Sequence, residues 1–256
     1  MTEPKTQTGP DPDEPKLESS AGSEVDPLRD SYRRSITENQ QVLEHLPARS
    51  IALLVIDVQY LDAAPGYGVF ADATRSGVSA EAQAYYFRTL EQTVLPNIRR
   101  LQDGFRAHGL EVIHTRICSM TPDGRDRSPG HKRLGLHAAP GSKESEFLPQ
   151  IAPLPGEIVI DKTASGVFTS TNIEYVLRNL GVQALFVAGV YTNECVSTAI
   201  RDGSDLGFHM TLVHDACTTV TPELQASTIR VLRDRYARVL RTKAAVREVQ
   251  RLATHD

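Results

Sequence analysis

The apolar run that follows Ser50 limits the choice of fold more than any other segment of this chain. In "SIALLVIDVQ" (50–59), an unbroken series of apolar residues leads directly to a carboxylate at Asp57. Continuous apolar runs of this length are typical of strands whose two faces are both buried, as in parallel sheets that helices cover. The run therefore predicts a central strand, with Asp57 at its carboxyl end.

The rest of the chain alternates between short apolar runs and segments with helical periodicity. A helix is predicted over about residues 80–107, where apolar residues recur at helical spacing and Gly109 follows the end. Further strands are predicted at "LEVIHTRI" (110–117), "EIVIDK" (157–162), "ALFVAGV" (184–190), "HMTLVHDA" (209–216) and "ARVLR" (237–241). This alternation predicts a Rossmann-like, three-layer α/β/α fold with a mostly parallel central sheet.

Composition divides the chain into three predicted parts. Residues 1–28 are rich in Pro, Asp, Glu and Ser, which is typical of a flexible tail. Residues 29–48 are predicted to form an N-terminal helical extension, and residues 49–256 the main domain. Within that domain, the loop at 118–143 is long and rich in Gly and Pro, and such loops often form a lid or a substrate wall.

Charge and composition exclude several classes of function. The net charge of -4 offers no basic surface for nucleic acid, and the sequence lacks an apolar run long enough to span a bilayer. The first residues have no apolar core of the signal-peptide kind, so a cytoplasmic location is predicted. Cys118, Cys195 and Cys217 form neither a paired disulfide framework nor a metal-ligand spacing. Small-molecule chemistry is the expectation that remains.

Three residues with catalytic potential follow predicted strands at their carboxyl ends, where parallel sheets bind ligands. They are Asp57, Lys162 and Cys195. Cys195 lies where a strand meets the next helix, and the positive end of a helix dipole favours a thiolate. Each residue alone has an ordinary alternative, such as an inert buried thiol. Together they predict an acyl-transfer site with Cys195 as nucleophile, Asp57 transferring protons and Lys162 offsetting negative charge.

These segments resemble the isochorismatase-like cysteine hydrolases, a family that includes nicotinamidases, N-carbamoylsarcosine amidase, ureidoacrylate amidohydrolase and biuret hydrolase. The resemblance extends from about Ser50 to Leu240. It rests on "ALLVIDVQ", "IDKTASGVFTST", "LFVAGVYTNECVSTAIRDGSDLGF" and "TLVHDACTT", in this order. The resemblance implies a catalytic triad at Asp57, Lys162 and Cys195.

The same resemblance implies how the nucleophile is presented. It implies a cis peptide bond between Val190 and Tyr191, and an oxyanion hole formed by the backbone N–H groups of Val190, Tyr191 and Cys195. It also implies a homodimer or homotetramer in which a neighbouring subunit completes the pocket, and no organic cofactor. Further substrate contacts are predicted from position or from the resemblance at Gln59, Arg116, Lys132, Arg133, Phe168, Tyr191 and Thr192.

The predicted reaction is hydrolysis of a C–N bond in a small amide, ureide or carbamoyl compound through a thioester, with release of ammonia or an amine. Isochorismate-cleaving members lack the catalytic cysteine, so the presence of Cys195 disfavours vinyl-ether hydrolysis. Two alternatives stay open: a metal-dependent, nicotinamidase-type aromatic amidase and a non-catalytic metabolite-binding protein. Because the segment 57–70 contains Asp62 but no His, and His114 lies inside a predicted strand, no metal site is predicted.

Overall fold

Six parallel strands form the centre of the molecule. The computed structural model describes residue 43 and residues 46–254. Its strands are β1 (Ile51–Ile56), β2 (Glu111–Ile117), β3 (Ile158–Lys162), β4 (Ala184–Val190), β5 (His209–Thr218) and β6 (Arg238–Leu240). They lie in the order β3-β2-β1-β4-β5-β6, and every neighbouring pair is parallel. The predicted strands and the parallel sheet are confirmed.

Helices connect the strands and cover both faces of the sheet. The α-helices are α1 (Tyr60–Ala63), α2 (Ala73–Ser76), α3 (Ala80–Thr89), α4 (Leu95–Ala107), α5 (Pro129–Leu134), α6 (Val167–Ser170), α7 (Ile173–Asn179), α8 (Ser197–Asp205), α9 (Pro222–Leu232) and α10 (Thr242–Ala253). Two π-helical turns, Leu90–Val94 and Thr192–Val196, continue directly into α4 and α8. Short 3₁₀ turns lie at Ala48–Ser50, Gly68–Phe70, Lys143–Ser145 and Pro149–Ile151.

The strand β1 is enclosed on both faces because its side chains alternate between two apolar layers. Its odd-numbered residues pack in a layer with residues of α3, α4 and α10. Its even-numbered residues pack in the opposite layer, with residues of α7, α8 and α9. This double burial explains the unbroken apolar run in the sequence, and it confirms the three-layer α/β/α architecture.

The helix predicted over about 80–107 occurs as α3 and α4 joined by a π-helical turn. The apolar positions with helical spacing are all buried, namely Tyr86, Leu90, Val94, Ile98, Leu101 and Phe105. Gly109 follows with a φ of 64°, the left-handed conformation in which helices often end. The periodicity of the sequence therefore identified the buried side of this helix correctly.

The predicted tail (1–28) and most of the predicted helical extension (29–48) lie outside the described residues. Leu43 is described, and its side chain is buried in the apolar layer that contains α10. The division of the chain into tail, extension and domain stays a prediction. Of the helices that the structure describes, none is long and apolar enough to cross a membrane.

Gly189 stands where β4 approaches β1 too closely for any side chain. Its φ is 123°, and a Cβ atom there would lie 2.1 Å from the carbonyl oxygen of Ile56. Beside it, the pairing of β4 with β5 shifts register between Val187 and Gly189. Glycine thus keeps the two central strands together at the end of the sheet where the candidate site lies.

Candidate active site

Asp57, Lys162 and Cys195 meet at the carboxyl edge of the sheet although they are far apart in the sequence. Asp57 follows β1, Lys162 is the last residue of β3, and Cys195 lies in the π-helical turn after β4. The Nζ atom of Lys162 is 2.7 Å from Oδ2 of Asp57 and 3.4 Å from Sγ of Cys195. All three residues are buried. The structure therefore brings the three predicted catalytic side chains together around one ammonium group.

Lys162 reaches Asp57 although their strands, β3 and β1, are not neighbours in the sheet. Because β2 lies between β3 and β1, the lysine side chain must extend past the end of β2. Its ammonium group also donates a hydrogen bond to the carbonyl oxygen of Ala164 at 2.9 Å. Burial opposes the charged form, but the Asp57 carboxylate and Cys195 outweigh it, so the pKa of Lys162 is raised. Lys162 thus stays a cation and compensates the buried carboxylate.

The carboxylate of Asp57 is oriented by its backbone and by a hydroxyl group. Its φ of 55° is uncommon for a residue other than glycine. The hydroxyl of Thr115 in β2 donates to Oδ1 of Asp57 at 2.9 Å, and the backbone carbonyl oxygen of Thr115 accepts the Asp57 N–H at 3.0 Å. Sequence analysis missed Thr115, although its position near the carboxyl end of a strand was an available signal. One carboxylate oxygen therefore binds Thr115 and the other faces Lys162.

The surroundings of the Cys195 sulfur favour its neutral thiol form. Burial raises the pKa of Cys195 well above its ordinary value, and the opposing effect of Lys162 is smaller. Desolvation of the sulfur thus opposes the thiolate that the helix dipole favours. A base must remove the proton, and the Asp57 carboxylate contacts the same Lys162 ammonium group as the sulfur.

The main chain enters the Cys195 turn through a cis peptide bond between Val190 and Tyr191, as the resemblance implies. The carbonyl oxygen of Tyr191 accepts a hydrogen bond from the N–H of Val196 at 3.3 Å, which closes the turn around Cys195. The hydroxyl of Tyr191 donates to the carbonyl oxygen of Asp62 at 2.9 Å. The oxyanion hole formed by the N–H groups of Val190, Tyr191 and Cys195 stays a prediction.

Two of the predicted substrate contacts are engaged by other protein groups. The Gln59 amide donates to the carbonyl oxygens of Ile117 at 2.9 Å and Glu144 at 2.8 Å, and it accepts the N–H of Ile117. The guanidinium group of Arg116 pairs with Asp161, with 2.6 Å between Nε and Oδ1. Gln59 thus joins β2 to a loop, and Arg116 is tied to β3.

The helix α5 brings His131 toward the triad and leaves its basic neighbours in solvent. Lys132 and Arg133, both predicted substrate contacts, are exposed. His131 is buried, and it interacts electrostatically with Lys162 and Asp57. Burial and the Lys162 charge lower the pKa of His131 to about 4. A neutral imidazole therefore lies near the triad, and sequence analysis did not single it out.

Phe168 and Thr192, also predicted contacts, lie in different surroundings. The ring of Phe168 packs 5.8 Å from the ring of Phe208 in the apolar layer that contains α8. Thr192 is fully buried, and its Oγ1 atom has no hydrogen-bond partner among the described residues. Of the predicted contacts, only Tyr191 and Thr192 lie in or directly before the turn that carries Cys195.

The structure also shows the surroundings of His114, the histidine that was weighed as a metal ligand. Nε2 of His114 is 3.2 Å from Oε2 of Glu157, and burial lowers the pKa of His114 to about 4. In the described part of the chain, His, Cys, Asp and Glu form no group of three or more that could hold a metal ion.

Comparison with known families identifies the chain. Residues 51–244 match a family model described as an isochorismatase domain, from β1 into α10. The chain belongs to the isochorismatase family. The resemblance noted in the sequence is thereby confirmed, and this isochorismatase-family match includes all three triad positions.

Individual relatives of this isochorismatase-family chain are distant. It is 28% identical over 152 residues to ureidoacrylate amidohydrolase RutB from Agrobacterium fabrum, covering 53% of this chain and 67% of that protein. It is 31% identical over 127 residues to N-carbamoylsarcosine amidase from Arthrobacter sp, covering 46% of each. An isochorismatase family protein from Desulfovibrio vulgaris has a similar structure, with a TM-score of 0.62, 27% identity, and coverage of 77% of this chain and 96% of that one. The match thus spans less than half the length of the amidase.

Proposed function

We propose that this chain is a cysteine hydrolase that cleaves a C–N bond of a small amide, ureide or carbamoyl compound and releases ammonia or an amine. The observation that carries this proposal is the contact of Lys162 with both Asp57 and Cys195, at 2.7 Å and 3.4 Å. Together the three groups supply a nucleophile, a base and a compensating charge. The relatives named as an amidohydrolase and an amidase support the same reaction class.

The first half of the reaction forms a tetrahedral intermediate. Asp57 takes the proton of the Cys195 thiol, and the sulfur attacks the carbonyl carbon of the substrate. The carbonyl π electrons move to oxygen, and the backbone N–H groups of Val190, Tyr191 and Cys195 bind the resulting oxyanion. Donors of this kind each contribute about 3 kcal/mol to the transition state. Lys162 stabilises the negative charge while it passes between the carboxylate and the sulfur.

The second half releases the nitrogen, which leaves a thioester, and then releases the acid. Asp57 gives its proton to the leaving nitrogen, the C–N bond breaks, and ammonia or an amine departs. A water molecule that loses a proton to Asp57 then attacks the thioester carbon, and Cys195 leaves and is reprotonated. The product is a carboxylic acid, or a carbamic acid when the substrate is a ureide. These steps balance without an organic cofactor.

Ammonia release tests the proposal. The panel contains ureides, carbamoyl amino acids, maleamate-like amides and nicotinamide, each with the wild type, Cys195→Ala and the matched control Cys217→Ala. We expect turnover of at least one class by the wild type and the control, and none by Cys195→Ala. Turnover that survives in Cys195→Ala, or silence across the panel, contradicts the proposal.

The same panel separates the two alternatives. A nicotinamidase-type aromatic amidase would prefer nicotinamide and contain a metal, which elemental analysis of the purified protein detects. A non-catalytic metabolite-binding protein would turn over nothing, and Cys195→Ala would keep its biological activity. The triad geometry favours the hydrolase over both.

We also propose that the protein acts in the cytoplasm as a homodimer or homotetramer. The three cysteines Cys118, Cys195 and Cys217 are all unpaired, which suits a reducing compartment. The family resemblance supports the oligomer. Light scattering of the full chain tests it, and a monomer mass at working concentration contradicts it.

A further inference from the structure

Three groups surround the ammonium nitrogen of Lys162, and one of them takes no part in the proposed chemistry. The nitrogen lies 2.7 Å from Oδ2 of Asp57 and 3.4 Å from Sγ of Cys195, which both belong to the triad. The third group is the backbone carbonyl oxygen of Ala164, at 2.9 Å. This oxygen bears on the reaction only by fixing where the ammonium group stands between the carboxylate and the sulfur.

The loop after β3, which carries Ala164, is held by α5 at both neighbouring residues. On one side, the carbonyl oxygen of Thr163 accepts a hydrogen bond from the N–H of Ser128, the residue that caps α5, at 2.9 Å. On the other side, Oγ of Ser165 lies 3.4 Å from Nε2 of His131 in α5. The hydroxyl of Ser128 also accepts the His131 N–H at 3.1 Å. The two attachments therefore belong to one rigid unit.

The side chain of His131 is committed to this contact. Only 3% of the residue is exposed, and a buried polar group is costly unless it is paired. Among the described residues, Ser165 is the only hydrogen-bond partner of the imidazole, since Nδ1 has none. His131 can thus act on the loop after β3 through Ser165.

We propose that His131 is a positioning residue for the catalytic lysine. Through Ser165 it holds the carbonyl oxygen of Ala164 in place, and that oxygen keeps the Lys162 ammonium group against the sulfur. The inference rests on the proposed function, in which this ammonium group stabilises the charge on the sulfur. It makes α5 part of the machinery that activates the nucleophile, in addition to any role as a wall of the pocket.

Release of the loop should weaken one contact of Lys162 more than the other. The ammonium group attracts the Asp57 carboxylate more strongly than the neutral thiol of Cys195, because two opposite charges interact more strongly than a charge and a neutral group. Without the Ala164 carbonyl in place, the ammonium group follows the carboxylate. The thiolate of Cys195 then loses part of its stabilisation and forms less readily.

Two substitutions of similar volume isolate the contact. His131→Leu fills the buried space but cannot bond to Ser165, whereas His131→Gln carries an amide that can donate to the serine hydroxyl or accept from it. Ser165→Ala removes the same contact from the other side with a smaller change. Leu134→Ala is the control, because Leu134 belongs to the same helix and is 56% exposed.

The readout is the rate at which iodoacetamide modifies Cys195 relative to Cys217, followed by peptide mapping at neutral pH. A protein that is merely loosened exposes both thiols and raises both rates, whereas a displaced ammonium group slows Cys195 alone. We expect His131→Leu and Ser165→Ala each to lower the ratio about fivefold, roughly the value of one hydrogen bond. His131→Gln and Leu134→Ala should keep it within about twofold of wild type.

A double variant shows whether the two side chains act through each other. His131→Leu combined with Ser165→Ala should lower the ratio no further than either change alone, because both remove the same contact. Additive losses overturn the inference. It is also overturned by a ratio that His131→Leu leaves unchanged, by a loss that His131→Gln does not restore, or by equal changes at both thiols. Thermal melting shows whether each variant is folded, and Ser165→Ala decides the test if His131→Leu is not.

Hydrolysis is measured separately on the same variants, so that the two proposals can fail independently. With a substrate from the ammonia-release panel, kcat/KM should fall in parallel with the alkylation ratio. A wild type that turns over nothing but shows the expected alkylation pattern would refute only the proposed function. Full turnover by His131→Leu with an unchanged alkylation ratio would refute only the positioning role.

Discussion

Cys195 and Cys217 are two buried thiols in the same apolar layer, yet they have different neighbours. The Sγ atom of Cys195 is 3.4 Å from the ammonium group of Lys162. The Sγ atom of Cys217 is 3.8 Å from the carbonyl oxygen of Val187 in the adjacent strand. Burial raises the pKa of both thiols, but only for Cys195 does a cation oppose the shift. The two thiols therefore differ in their charged neighbours and not in their depth of burial.

Substitution of Asp57, the proposed base, should have the largest effect on the activity that distinguishes Cys195 from Cys217. We expect Asp57→Asn to lower kcat/KM by about a thousandfold, because the thiol proton loses its acceptor. It should also lower the free energy of unfolding by about 3–5 kcal/mol, since the Lys162 cation stays buried without its partner. Ammonia release and urea denaturation measure the two effects.

The ion pair of Arg116 with Asp161 offers a matched control, because it is partly exposed. Asp161→Asn should change stability by less than about 1 kcal/mol. In the double variant Asp57→Asn with Lys162→Met, stability should partly return while activity does not. An Asp57→Asn enzyme within tenfold of wild-type kcat/KM would contradict the assignment of the base.

Alkylation compares the two thiols directly. Iodoacetamide should modify Cys195 about a hundredfold faster than Cys217 at neutral pH, because Lys162 stabilises the thiolate of Cys195 alone. Peptide mapping by mass spectrometry follows both sites in one sample, and Cys195→Ala confirms the assignment. Equal rates at the two sites would mean that the ion pair does not activate the sulfur.

The pH dependence of alkylation sharpens the comparison. A thiol with a raised pKa becomes reactive only as the pH rises toward that pKa. Lys162→Met removes the charge that lowers the pKa of Cys195, so the midpoint for this site should move about 1–2 pH units higher. Cys217 serves as the internal control. A midpoint for Cys195 that stays in place or moves lower would argue against the role of Lys162.

The smallest effect is expected at the second thiol. Cys217→Ala should keep kcat/KM within about twofold and lower the free energy of unfolding by about 1 kcal/mol, the usual result of removing a small buried group. Enzyme assay and urea denaturation measure both quantities. A large loss of activity in this variant would show that Cys217 is not the inert member of the pair.

Local pattern was enough to predict the sheet and the three triad positions. A strand buried on both faces must be apolar throughout, so the run before Asp57 identified β1 directly. Parallel strands end at one edge, which brought Lys162 and Cys195 toward Asp57 without any knowledge of the loops. The structure confirms the parallel sheet, and in it these side chains meet.

Contacts made by the loops could not be read from the sequence. The side-chain amide of Gln59 is fully engaged in hydrogen bonds, and His131 is buried. Both facts depend on how segments distant in the sequence fold over the sheet edge. The desolvation that raises the pKa of Cys195 depends on the depth of the sulfur, which a local pattern does not report. The unpartnered side-chain oxygen of Asp62 is likewise visible only in three dimensions.

The position of β2 between β3 and β1 links activity to the assembly of the whole sheet. In the folded sheet β2 lies between the strands that lead to Lys162 and Asp57, so their contact spans three strands. Recovery of hydrolysis during refolding would thus report closure of the sheet, later than the pairing of any two strands. A chain cut within 118–143 would yield two silent pieces, one with Asp57 and one with Lys162 and Cys195. The rate of hydrolysis in a mixture of the two pieces would then measure how many of them have reassociated.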